Sequence, residues 1–420
     1  MAVASQERPI RLVVRDDDLR RNRLTVLFRL LLAIPHLVWL TLWGIAANVV
    51  TFILWLAILI EGKAPEILHD FIAGYLRYTT HVGAYLFLAA NPYPGFRGAP
   101  GYAVDVEIDP PERQSRWAAL FRLVLALPAF VLAATLGGAF ALFGLGALYF
   151  TGAGGTAAFL GWFAALVLGK TPRGLRDLAA YGLSYGAQAG GYFLLLTDRY
   201  PSSDPTLMEP LPELPKHPIR IAVADELERS RLTVLFRLLL AIPHFVWLTL
   251  WSIAAFLAAV AAWFVALVTA QVPLSLHRFL AAYIRYSTHV IAYVYVVGRK
   301  FPGFTGREGS YGIDAQIEAP LRQSRVKTLF RIFLVFPALL VASALGNVLF
   351  VVAIFGWWVS LIRGRMPKGL RNLGASCLRY SAQTYAYLAL LTDRYPYAAP
   401  ALEGRALPEP PQQPLPGDTF

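Results

Sequence analysis

The stretch RLTVLFRLLLAIPH, Arg23 to His36, returns unchanged as Arg231 to His244. Looser versions follow the same spelling: RWAALFRLVLALP from Arg116 to Pro128 and RVKTLFRIFLVFP from Arg325 to Pro337. One phrase used four times, each time leading into a long apolar run, means one supersecondary unit used four times. The identical copies are offset by 208 residues. The chain therefore reads as a tandem duplication of a half that itself holds two related quarters.

Each quarter follows one order. A short alternating segment comes first, as in PIRLVVR (Pro9 to Arg15), VDVEID (Val104 to Asp109) and PIRIAVA (Pro218 to Ala224), and its period of two reads as a strand. The phrase follows. Leu24 to Ile34 is helical by composition, and Pro35, lacking a backbone donor, is expected to kink or restart the helix. His36 to Ile60 then supplies ~37 Å of helix, against a hydrocarbon core of ~30 Å. A break, EGKAP (Glu61 to Pro65), separates this from a second apolar helix over Glu66 to Ala90. The second quarter is longer. Pro128 and Pro172 are 44 positions apart, whereas the matching prolines elsewhere are 30 apart. The extra residues fall near Gly144 to Gly155, whose glycines mark a break.

These observations divide the chain into a first membrane half, 1–200, with repeats at 9–96 and 102–200, and a Pro-rich linker, 201–217. A second half, 218–396, has repeats at 218–304 and 311–396, and a Pro-rich tail, 397–420, reads as disordered. The composition is 57% apolar and 15% charged, against about 25% charged for soluble domains. The expected fold class is a mainly α, polytopic helical membrane protein. About eight transmembrane helices would form four parallel two-helix repeats, with short cytoplasmic β-strands before each. If the phrase and its following run formed a tight hairpin, each quarter would have three spans and alternate quarters would invert. The net charge of +12 flanks apolar runs instead of forming one stripe, so it fits the positive-inside effect and not nucleic-acid binding. Both termini and the strands are then cytoplasmic. The charged N-terminus leaves no room for a signal peptide's apolar core. A solitary cysteine, Cys377, excludes internal disulfides and CxxC motifs.

Charge predicts how the strands meet. Arg11, Arg15 and Arg220 lie on the first strand of each half; Asp105, Glu107, Asp109, Asp314 and Glu318 lie on the second. Opposite charges favour pairing of the two strands within a half, which a register scan of cysteine pairs around Leu12 and Val106 would test.

Two sets of side chains are candidate sites. The second helices carry a polar stripe at steps of four: Arg77, His81, Tyr85; Arg285, His289, Tyr293; and Arg379, Gln383, Tyr387. The second quarter has Ser184, Gln188 and Tyr192 instead. Arginine inside a span costs ~2.5–3.5 kcal/mol, so these residues either bind an anion or bond neighbouring helices as structural glue. No Asp or Glu lies near the centre of a span to partner them. The second set is Arg29, Arg122, Arg237 and Arg331, one per phrase, expected to snorkel or to meet lipid headgroups. Histidines fall in matched sets: His36, His69, His81 and His244, His277, His289. No CxxCH or fixed pair spacing points to haem, so no cofactor and no metal is expected. Walker A, HExxH and GxSxG motifs are absent from the sequence, and no catalytic residue is assigned.

The phrase LFRLLLAIPH, with a preceding strand, paired helices and an RY[ST]xH-type helix, resembles the repeat of a bacterial membrane-protein family known only as a domain of unknown function. The resemblance covers about Pro9 to Pro396. It implies a multi-pass protein of the bacterial cytoplasmic membrane and lends no activity. The expected role is a non-enzymatic scaffold or partner-binding subunit, whose partners are the lipid bilayer, anionic lipids and unidentified membrane proteins. The alternative is a transporter or channel for an anionic solute or lipid through the stripe arginines.

Overall fold

The computed structural model describes residues 8–15, 18–137, 152–208 and 216–402. Within them the first repeat is β1 (Ile10–Val14), α1 (Arg23–Leu27), α2 (Arg29–Glu61) and α3 (Glu66–Leu86). The second is β2 (Val104–Ile108), α4 (Arg116–Leu120), α5 (Arg122–Leu136), α6 (Gly152–Leu168) and α7 (Arg173–Phe193). The third is β3 (Ile219–Val223), α8 (Arg231–Leu235), α9 (Arg237–Leu240), α10 (Ile242–Thr269) and α11 (Leu274–Val294). The fourth is β4 (Ile313–Ile317), α12 (Arg325–Leu329), α13 (Arg331–Arg363) and α14 (Lys368–Leu388).

In the first repeat the phrase folds as a short capped helix and then a long one; in the third it breaks again at Ala241, and α10 restarts at Ile242 with Pro243 in its first turn. Asn22 accepts the Leu24 N–H at 2.9 Å, and Ser115 and Ser324 cap α4 and α12 in the same way. The helix is interrupted at Phe28 and not at Pro35. Phe28 sits at φ −94°, ψ 8°, yet its N–H still reaches the Leu24 carbonyl and its carbonyl receives the Leu32 N–H. The ladder bends there without being lost. Pro35 lies inside α2, between buried Ala33 and His36, so packing on both sides carries the helix through its one missing donor.

Strands that are equivalent in the repeat pair with each other. β1 runs antiparallel to β2 with Leu12 opposite Val106, and β3 antiparallel to β4 with Ile221 opposite Ala315. Two equivalent segments that pair antiparallel are related by a two-fold axis across the ribbon. The connections obey the same symmetry. The Gln114 N–H, leading into the second repeat, donates to Gly62 in the break of the first at 2.9 Å. The Arg21 and Thr171 N–H groups complete the converse contact, to Gly169 and Leu19. In the second half Gln323 donates to Ala270, Arg229 to Gly364 and Met366 to Leu227. The two repeats of each half are thus inverted, not parallel. Counting charge on opposite sides misled because the lead-in of one repeat and the break of its sister lie together.

The eight expected spans are also corrected. Among the described residues three helices are long and apolar enough to cross a membrane: α2, α10 and α13, of 33, 28 and 33 residues. Two shorter apolar helices are α5 and α6. The outward face of α2 is apolar along its whole length, as in Leu31, Val38, Leu42, Ile45, Val49, Phe52 and Ile60. The second helices α3, α7, α11 and α14 are 21 residues each but lie inside. From Ile72 to Leu86 only Gly74 and Arg77 of α3 escape full burial. α3 and α7 pack on each other beneath the β1–β2 ribbon, and α11 and α14 do so beneath β3–β4. Each of the four is a core helix of its half, which is how it tolerates its polar stripe.

The chain forms two compact units. One holds Met1–Glu213 with Phe336–Phe355 and Tyr397–Ala401; the other holds Leu214–Val335, Gly356–Pro396 and Leu402–Phe420. Parts of the expected linker and tail are packed. Tyr181 donates to the Ser203 carbonyl at 2.7 Å, Pro205–Leu207 is a 3-10 turn, Tyr397 donates to Asp177, and Ala399 is fully buried. The break expected near Gly144 to Gly155 falls mostly on residues outside those described, as do 209–215 of the linker and 403–420 of the tail.

Candidate functional site

The two sets of candidate residues meet. Each phrase arginine turns inward onto the tyrosine that ends the stripe of its own repeat. The Arg29 guanidinium lies 4.2 Å from the Tyr85 ring centre, Arg122 4.1 Å from Tyr192, Arg237 4.4 Å from Tyr293, and Arg331 4.5 Å from Tyr387. Three of the four also donate to that tyrosine's carbonyl; for Arg29 and Arg237 the bonds are 2.9 and 2.8 Å. Arg122 reaches Thr197 O and Gln114 Oε1 instead. These arginines are 1–3% exposed, whereas snorkelling or headgroup contact was expected to hold them at the surface. The arginine fork matches two carbonyls at once, which a bare helix end otherwise leaves unsatisfied.

That helix end explains the need. After each second helix one non-glycine residue adopts the left-handed region: Leu88 (φ 59°), Leu195 (63°), Val296 (63°) and Leu390 (62°). A glycine would sit there without strain, but all four side chains are buried at 1–2% exposure. Their burial offsets a conformational cost of ~1–2 kcal/mol. The turn leaves carbonyls pointing at the phrase helix, where the arginine collects them.

The upper part of the stripe binds the ribbon. His81 Nε2 lies 2.8 Å from Asp105 Oδ1 and Arg77 Nε 3.8 Å from the same oxygen. Arg77 also donates to the carbonyls of Val106 and Gly98. In the third repeat His289 lies 2.6 Å from Asp314, while Arg285 donates to Ala315, Gly306 and Glu308. The carboxylates lacking in the helices are therefore supplied by the strands. Asp105 and Asp314, expected to face across the ribbon, turn inward at 1% exposure. The remaining charges do pair across it: Arg11 with Asp109 at 3.2 Å, Arg15 with Glu107 at 3.1 Å and Arg220 with Glu318 at 3.4 Å. Asp105 is held below the usual carboxylate range. Burial alone would raise it, but His81 and the N–H groups of Gly101 and Val106 outweigh that.

The even-numbered repeats use amides in place of the His–Asp pair. Gln383 donates to Ile219 O on β3 and accepts from Arg379, while Gln188 accepts the Ser202 N–H. The matched histidines are employed separately. His36 and His244 bond the hydroxyls of Tyr78 and Tyr286 at 2.6 and 2.7 Å. Among the described residues no three His, Cys, Asp or Glu side chains converge as a metal site. Tyr78 and Tyr286 are not marked by the sequence patterns, and Asp105 and Asp314 are marked there only as cross-strand partners, not as partners of His81 and His289. The offset of 208 pairs Tyr78 with Tyr286, whereas Asp105 and Asp314 are 209 apart, and none of the four lies on the stripe.

The sequence model of one family, described as Domain of unknown function (DUF4389), matches residues 23–97, 116–203, 231–305 and 325–399. No curated protein and no solved structure matches the chain.

Proposed function

We propose that this chain, which belongs to the DUF4389 family and carries four tandem copies of its domain, is a non-enzymatic multi-span protein of the bacterial cytoplasmic membrane. Its role is that of a scaffold or partner-binding subunit. The observation that carries this reading is the use already made of the charged residues. Arg29, Arg122, Arg237 and Arg331 hold helix ends, and Arg77 and Arg285 hold the ribbons, so the polar interior is occupied by structural bonds. What faces outward is apolar on α2 and α10, about 50 Å and 42 Å long at 1.5 Å per residue, and charged on the ribbons. Lipid covers the first kind of surface and an aqueous partner the second.

Carbonate extraction of membranes should leave the full chain in the pellet. Purified protein reconstituted in liposomes should give no anion flux above empty vesicles. Flux that disappears when Arg77, Arg285 and Arg379 are all replaced by lysine, in protein that still folds, would replace the scaffold reading with the transport one.

A further inference from the structure

The second unit contains a cavity of about 430 Å³ lined by Lys216, His217, Lys327, Tyr387, Asp393 and Arg394, with Leu334 and Tyr395 completing its wall. None of these is a headgroup or anion candidate of the sequence except Tyr387. We propose that this cavity is a binding site for a phosphate group, presented as the headgroup of an anionic phospholipid.

Four observations converge on that chemistry. The first is charge. Lys216, Lys327 and Arg394 bring three cations against one carboxylate, Asp393, and Arg331 already neutralises that carboxylate. Neither lysine has an acidic partner among the described residues. Arg394 is tied by one nitrogen to the Lys216 carbonyl, which draws the cations together.

The second is a buried ring nitrogen without a partner. His217 is 6% exposed and its Nε2 is buried with no protein hydrogen-bond partner. Its Nδ1 is engaged by the Ile219 backbone, 3.0 Å from the N–H and 3.1 Å from the carbonyl oxygen, which leaves Nε2 as the ring nitrogen without a protein partner. Burial, with Arg379 and Arg394 adding like charge, lowers the imidazole to about 4, so the ring is uncharged at neutral pH. A buried polar nitrogen left unpaired is costly, and His217 lines the cavity in which an anion would sit.

The third is position. Lys327 lies on α12 and Leu334 on α13, among Val326, Leu329, Phe330 and Phe333, all exposed and apolar. A cationic hollow beside an apolar helix face matches a phospholipid, whose phosphate and acyl chains need both at once.

The fourth is asymmetry. Lys327 is replaced by Thr25, Ala118 and Thr233 at the same place in the other phrases. Three repeats thus keep the phrase without this cation, as expected of a site added to one copy of a structural frame.

This inference rests on the membrane reading for its lipid source but not for its phosphate chemistry, and the test separates them. Detergent-purified full-length protein would be examined by native mass spectrometry with equimolar phosphatidylglycerol and phosphatidylcholine. Inorganic phosphate would be titrated calorimetrically in parallel. Wild type is expected to retain phosphatidylglycerol about tenfold over phosphatidylcholine. The K216Q/K327Q variant, altered only at exposed side chains and checked by circular dichroism for unchanged helicity, should lose that preference. H217F should weaken it while leaving both lysines. If inorganic phosphate binds with the same dependence on these residues and no lipid is preferred, the site takes a soluble phosphate. Equal retention of both lipids with no phosphate binding, or a preference that survives K216Q/K327Q, overturns the proposal.

Discussion

Arg29 stacks its guanidinium 4.2 Å from the Tyr85 ring centre and donates to the carbonyl of the same residue, so one side chain closes both the face and the end of α3. Lysine keeps the charge but offers a point donor where a planar fork is needed. Arg29→Lys is expected to leave at least one buried carbonyl unsatisfied and to lower stability by roughly 2 kcal/mol. The measurement is thermal unfolding in detergent by circular dichroism. Arg237→Lys should match it, because the geometry repeats at Tyr293. A variant as stable as wild type would show that the helix end does not depend on the fork.

Asp105 supports a pH-dependent contribution. Its folded-state value is lowered, so the stability it adds is complete above the ordinary carboxylate range, near 4, and is lost as pH falls through the folded value. Asp105→Asn should cost about 3 kcal/mol at neutral pH, since His81 and Arg77 lose a buried partner. The variant's acid unfolding curve should also be flatter than that of wild type below pH 4. Parallel acid limbs for the two proteins would contradict the assignment.

The ribbon register is directly testable. Leu12 and Val106 are opposite each other and both are buried. The L12C/V106C pair is expected to form a disulfide on mild oxidation, while L12C/E107C, one position out of register and on the other face, should not. Efficient crosslinking of the second pair in place of the first would refute the register.

Gly98 has φ +60°, and a Cβ there would lie 2.5 Å from the Gly74 carbonyl oxygen. Gly306 reproduces this at φ +58°, with Ala282 O 2.2 Å away. Because the obstacle is helix backbone, it cannot swing aside. Gly98→Ala and Gly306→Ala should each destabilise by more than ~1 kcal/mol. Gly95→Ala, where nothing lies within 4 Å, serves as the control, and equal melting of all three variants would dismiss the close approach.

The sequence by itself determined the repeat, the helix pairs and the strand pairing. Each of these is written in local patterns: one phrase spelled four times, periods of 3.6 and 2, and complementary charges at Arg11 and Asp109. It also singled out the arginines and the stripe tyrosines, but as two separate sets. Only the tertiary structure decided that Arg29 belongs to Tyr85, since 56 residues separate them and no local pattern encodes that contact. It also decided that Asp105 turns inward to His81 when alternation and charge placed it across the ribbon. Among the described residues three apolar helices are long enough to cross a membrane where eight spans were expected, and four of the expected spans are core helices instead. Hydrophobic composition records that a helix avoids water; whether lipid or a strand ribbon and a sister helix cover it depends on which faces pack. For α3, α7, α11 and α14 the covering is protein.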